Sequence, residues 1–155
     1  MINYLKPLLF KVSDFTYKIN KIIPKKRNRI VLYSNWGFRD NIRTLYQYLV
    51  DKGYTLYERD WKFGKRDLDI VAYNPNHTIL VFIEVKTRSA NELSLPEQAV
   101  TKQKMKSVAL AANAFIKERN ITDEVQFDVI SITGTSAQNA SLKHIENAFN
   151  PMLLF

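Results

Sequence analysis

Asp67-Leu68-Asp69-Ile70-Val71-Ala72, then Asn74-Pro75-Asn76-His77, then Ile79-Leu80-Val81-Phe82-Ile83-Glu84-Val85-Lys86-Thr87-Arg88: the reading of this run decides the fold. The outer stretches have the β-branched and apolar content of strands, and the middle one is a four-residue turn signal. A period of two places Asp67 and Asp69 on one face of the first strand, and Glu84 and Lys86 on one face of the second. If the chain reverses between Asn76 and His77, Asp69 stands opposite Glu84 and Asp67 opposite Lys86. Directly opposed residues have Cβ atoms about 4.5–5.5 Å apart, where two carboxylates repel unless a cation lies between them. Such a pair suits Mg²⁺, which takes one or two carboxylates and fills its shell with water and phosphate oxygens. Opposed charges on the wet face of an ordinary hairpin would explain a Glu-x-Lys pair alone. The unbroken apolar run Ile79–Ile83 argues instead for a strand buried on both faces, whose terminal charges need a partner or a task.

Working outward, the same stretches carry a resemblance. Gly53-Tyr54, Glu58-Arg59-Asp60-Trp61, residues 67–72, residues 82–88, Pro96-Glu97-Gln98-Ala99-Val100, Lys104, Phe127-Asp128-Val129 and His144-Ile145-Glu146-Asn147-Ala148-Phe149 resemble the YraN-like family. That family has a PD-(D/E)xK nuclease fold. The resemblance implies an α/β domain: a restriction endonuclease-like central mixed sheet flanked by helices. It also implies Asp69 and Glu84 as metal ligands, with Lys86 beside the attacked phosphate. Members often carry Glu where Asp67 stands. They also have a Gly-Glu pair at the start of the helix before Gly53, where this chain has Ile42.

A phosphodiester is anionic, so its hydrolysis needs an ionised water and neutralisation of developing charge. Mg²⁺ (or Mn²⁺) on Asp69 and Glu84 would supply both, and Lys86 would orient the water or stabilise the transition state. Asp67, Gln98 and Lys104 are supporting candidates. Lys104 would equally suit a solvated helix face, and Gln98 a helix-start amide. The expected function is a metal-dependent, endonuclease-like hydrolase of DNA or RNA phosphodiester bonds. The alternatives are a non-catalytic nucleic-acid-binding module of the same fold, or a membrane-surface or transferase-derived fusion directed by residues 1–30.

Next to the first Asp strand, Trp61-Lys62-Phe63-Gly64-Lys65-Arg66 reads as a loop around Gly64. Lys62, Lys65 and Arg66 would grip a nucleic acid backbone while Trp61 or Phe63 stacks on a base. An exposed loop with two anchoring aromatics is the plainer reading. Arg88, at the end of the Glu84 strand, joins the nucleic-acid-binding candidates. Other chemistries find little support. Cys is absent, and His77 and His144 are the two histidines, so neither a thiolate nor a His-rich zinc site is expected. The four glycines are scattered and make no phosphate-cradling loop, so no small-molecule cofactor is expected.

The 155 residues, 46% of them hydrophobic, suit one domain with a substantial core. The net charge of +8 is unevenly placed. Residues 1–30 hold eight basic side chains against Asp14 alone, leaving residues 31–155 at +1. Overall basicity is therefore weak evidence that the domain itself binds nucleic acid. Leu5, Leu8, Val12, Phe15, Ile19 and Ile22 form one stripe of an amphipathic helix, stopped by Pro24 and followed by a basic linker. The expected organisation is thus a leader and linker over 1–29 and a nuclease-like α/β domain over 30–155. The leader would dock on a core or touch a membrane surface through residues 1–23. Lack of Cys and of a spanning segment suggests a cytoplasmic protein, with a membrane-peripheral location as the alternative that the leader offers.

Residues 28–35 and Asp40-Asn41 with Leu45–Leu49 also faintly resemble the start of CDP-glycerol glycerophosphotransferases, which would make the N-terminal part foreign to the fold. A strand over 30–33, a loop over 34–37, and a helix capped by Asp40 and closed near Gly53 are expected. A strand over 54–58, a long helix over 96–119, a strand over 125–132 and a terminal packing segment over 144–149 complete the reading. Asp128 reads as a structural carboxylate.

Overall fold

The computed structural model describes residues 36–88, 100–134 and 140–155, with side chains from residue 43 onward in the first stretch. The leader and linker, the strand expected over 30–33 and Gln98 lie outside the described residues.

Helix α1 (Trp36–Asp51) leads into the hairpin strands β1 (Thr55–Phe63) and β2 (Arg66–Tyr73), then β3 (Ile79–Arg88). Helix α2 (Lys102–Arg119), β4 (Glu124–Thr133), β5 (Ser141–Ile145) and a short 3₁₀ turn (Pro151–Leu153) follow. The strands form one five-stranded sheet in the order β1-β2-β3-β4-β5. The β3–β4 pair is parallel and the other three are antiparallel. This is a mixed sheet of the α/β class. A parallel pair needs a crossover, and between β3 and β4 the chain contains α2.

Each face of the sheet has its own helix. On one, Val71, Phe82 and Phe127 pack against Val108, Ala112 and Phe115 of α2. On the other, Ile70, Val81, Ile83 and Ile130 pack against Leu45 and Leu49 of α1. Leu80 to Ile83 are all buried, as the unbroken apolar run requires of a strand covered on both sides.

Several boundaries differ from the sequence reading. α1 already runs at Trp36 and Gly37, so Asp40 is inside the helix and not its cap. Residues 25–50 contain no proline, and a glycine in a helix costs only ~1 kcal/mol. The helix ends as expected at Gly53 (φ +85°). Tyr54 N–H donates to Leu49 O and Gly53 N–H to Val50 O, the paired bonds of a Schellman motif. α2 begins at Lys102, later than expected, because the Thr101 side chain caps it by accepting from Lys104 N–H. The expected loop over 61–66 is the end of a hairpin whose connection is Gly64-Lys65 alone. Gly64 has φ +60°, which suits the first position of a type II′ turn. Of the terminal segment expected over 144–149, only His144 and Ile145 belong to strand β5 and the rest is turn and irregular chain, with Phe149 packed against Phe127.

Candidate functional site

The β2–β3 turn is built by Asn74, whose side-chain oxygen accepts from Thr78 and Ile79 N–H while its carbonyl accepts from His77 N–H. This local closure sets the register: Tyr73 pairs with Leu80, Ala72 with Val81, Val71 with Phe82 and Ile70 with Ile83. That is the register expected from the sequence, and continuing it by one residue brings Asp69 across from Glu84. There the regular ladder stops. Alternation would make Leu68 and Val85 the next pair joined by two backbone bonds, yet Val85 N–H donates to Asp69 Oδ2 at 2.8 Å. The carboxylate replaces a rung of the sheet.

β2 is also irregular at this point. Leu68 and Val71 lie in the core cluster on the α2 side, while Ile70 and Ala72 lie in the one on the α1 side. Strict alternation cannot put residues 68 and 71 on one face. Opposite, the β1–β2 pairing passes from Arg59–Ile70 to Trp61–Leu68 without Asp60 and Asp69. Asp60 takes a left-handed conformation, φ +49°. The sequence reading of Asp67 and Asp69 as one regular face therefore needs correction: a local disruption aims Asp69 into the gap between β2 and β3.

Glu84 is 2% exposed. Its Oε1 meets Lys86 Nζ at 2.8 Å, and its Oε2 lies 3.3 Å from Lys104 Nζ. Oε2 is buried and has no well-formed hydrogen bond, so the Lys104 contact is an ion pair of poor directionality. Lys104 Nζ also holds Asp67 Oδ1 at 2.9 Å. The expected opposition of Asp67 to Lys86 is thus superseded, because Asp67 takes its cation from α2. Lys104 enters one turn into that helix, positioned by the Thr101 cap.

The electrostatics follow from this crowding. Burial, reinforced by the Glu84 charge, pushes the Asp69 carboxyl up to about 6, against the pull of Val85 N–H and Lys104. Burial also works to raise Asp67, but the Lys104 bond and the Lys104 and Lys62 charges outweigh it and hold Asp67 below its ordinary value. Lys104 is raised, since Asp67 and Glu84 outweigh its partial burial.

These donors fit a hard divalent ion. Two carboxylates lie within electrostatic reach of each other, one carries a buried oxygen lacking a directional partner, and Mg²⁺ or Mn²⁺ completes its shell with water. Among the described residues no group of three or more His, Cys, Asp or Glu side chains is placed to hold a metal ion.

Of the remaining candidates, Lys62 pairs with Asp67 across the β1–β2 hairpin, Lys65 is in its turn and Arg66 opens β2. Arg88 ends β3, two residues beyond Lys86 on the same strand face. Two side chains were missed from sequence. Tyr46 of α1 accepts a hydrogen bond from Arg59 and sits within electrostatic reach of Asp69; burial raises its hydroxyl. Ser131 pairs with Lys86 in the parallel ladder, and its buried hydroxyl has no hydrogen-bond partner. The apolar strand around it offers no sequence signal.

A second polar cluster is structural. Asp128, fully buried, accepts from Gln126 Nε2, Asn147 N–H and His144 Nε2 at 2.8–2.9 Å. His144 Nδ1 lies 3.2 Å from the Tyr48 hydroxyl, tying β5 to α1. Among the described residues, no helix is long and apolar enough to cross a membrane.

The family described as "Uncharacterised protein family UPF0102" matches residues 43–132. That range holds every residue of the Asp67–Asp69–Glu84–Lys86–Lys104 constellation. A UPF0102 protein of Phocaeicola vulgatus is 39% identical over 104 residues, covering 67% of this chain and 84% of its own. One of Bacteroides thetaiotaomicron is 42% identical over 106 residues, covering 68% and 85%. One of Pelobacter propionicus is 37% identical over 103 residues, covering 66% and 74%. The chain therefore belongs to the UPF0102 family.

Proposed function

We propose that this protein is a metal-dependent, nuclease-like hydrolase of DNA or RNA phosphodiester bonds, with the PD-(D/E)xK arrangement its motif order resembles. One observation carries the reading: a buried glutamate held between two lysines faces an aspartate that has displaced a sheet hydrogen bond. Such a concentration of charge at the end of a core strand is costly for stability alone.

Asp69 and Glu84 would hold Mg²⁺ or Mn²⁺, Asp69 through the oxygen not committed to Val85 and Glu84 through Oε2. The chemistry supplied by such an ion when bound is charge neutralisation at the phosphoryl group and acidification of the attacking water. Lys86 and Lys104 hold the two Glu84 oxygens until substrate arrives. Lys86 is one-third exposed and can turn from Glu84 to the phosphate, where its ammonium stabilises charge gained in the transition state. Lys104, tethered by Asp67, holds the second Glu84 oxygen in place. Lys62, Lys65, Arg66 and Arg88 provide the backbone grip.

The test is cleavage of single-stranded, duplex and branched substrates across a Mg²⁺ and Mn²⁺ titration. Asp69→Asn should abolish metal-dependent cleavage while leaving nucleic acid binding; cleavage that persists in this variant overturns the assignment. Binding without turnover by the unaltered protein would favour the non-catalytic module, to which Ile42, in place of a third carboxylate, also points.

A further inference from the structure

The tip of the β1–β2 hairpin carries chemistry that hydrolysis leaves unused. Phe63 is 48% exposed, and its ring lies parallel to Trp61, 3° between planes and 6.1 Å between centroids. Trp61 is braced edge-on, at 90° and 5.2 Å, by Phe115, which is fully buried. The core thus holds Trp61, and Trp61 holds Phe63 in a fixed plane at the surface. Lys62 and Lys65 beside it are exposed, Arg66 is half-buried, and residues 61–66 contain no carboxylate. From Arg66 to Asp69 is three strand residues, about 10 Å, so one bound strand can reach both.

We propose that Phe63 is a stacking platform for an unpaired nucleobase, so that the site prefers single-stranded nucleic acid, or a single-stranded segment, to continuous duplex. This rests on the reading that the ligand is a nucleic acid. An aromatic ring can take a base only where the π face is free, and in duplex both faces are covered by neighbouring base pairs. Stacking of this kind tolerates any sequence and works beside a cationic grip on the backbone. The flanking lysines favour a polyanion over an apolar protein surface.

The experiment is anisotropy with the full chain and labelled oligonucleotides in chelator, where no metal-dependent cleavage occurs. The probes are a single strand, its duplex, and the same strand with abasic positions. The single strand should bind at least tenfold tighter than the duplex. Phe63→Ala should weaken single-strand binding about tenfold and leave duplex and abasic binding unchanged. Phe63→Trp should retain binding and Phe63→Leu, which keeps apolar bulk without a π face, should lose it. Equal effects on single strand and duplex, retention by Phe63→Leu, or no single-strand binding overturns the proposal. Cleavage is measured separately with Mn²⁺. Phe63-dependent binding without cleavage removes hydrolysis and leaves the platform, whereas duplex cleavage indifferent to Phe63 does the reverse.

Discussion

Asp69 is held at a cost to the fold. Its carboxyl titrates at about 6 because burial and Glu84 oppose ionisation, above the ordinary value of 3.8. A raised carboxyl favours the native state fully below the ordinary value, and that advantage is lost as pH rises through about 6. Asp69→Asn keeps an acceptor for Val85 N–H and removes the charge. It should therefore raise stability at pH 7 by ~1–2 kcal/mol after allowing for partial solvent access. The gain should shrink as pH falls below 6 and vanish near 3.8, which urea titrations at several pH values would show. A gain independent of pH would mean that Asp69 has the same pKa in the folded and unfolded protein. Asp128 makes the contrast. Three donors satisfy it, and Asp128→Ala would strand His144, Gln126 and Asn147 in the interior. We expect a loss of about 3 kcal/mol in denaturant unfolding, with the Asp69–Glu84 site unaltered at permissive temperature.

At the scale of elements, the end of α1 and the β2–β3 turn support each other. Gly53 adopts φ +85°, and a Cβ there would lie 3.3 Å from Pro75 Cβ. Gly53→Ala should cost about 1–2 kcal/mol through left-handed strain alone, with the Pro75 approach adding to it. A change within a few tenths of a kcal/mol by thermal melts would show that α1 closes without this conformation. The turn matters for the site because Asn74 sets the register that continues to Asp69 and Glu84. Much of this was legible in sequence: Gly after an amphipathic run, Asn-Pro-Asn-His between strands, and the period of two. The start of α2 was not, since Pro96 and Thr101 are both reasonable helix-start signals and local pattern alone does not choose between them.

At the scale of the molecule, the described residues give the sheet one helix on each face, and the site opens where β2 and β3 part and the α2 start approaches. An ion bound to the native state and not to the unfolded chain stabilises by mass action. At ~100-fold excess over its dissociation constant, Mn²⁺ should raise the melting temperature by roughly 5 °C at pH 7. The shift should fall away below about pH 6, as Asp69 takes up its proton, and be absent in Asp69→Asn. An equal shift in that variant would place the ion elsewhere.

By itself, the order of residues determined the hairpin and its register from Tyr73–Leu80 to Ile70–Ile83, because a tight turn propagates along paired strands. It also determined that β3 is buried on both faces. Only the tertiary structure decided that Lys104 would stand between Asp67 and Glu84 and that β2 would break its alternation at Asp69. The same holds for Ser131 beside Lys86, and for His144 linking Asp128 to Tyr48. Those contacts join segments far apart in the chain through a crossover and helix packing, and no local period or propensity encodes where such segments meet.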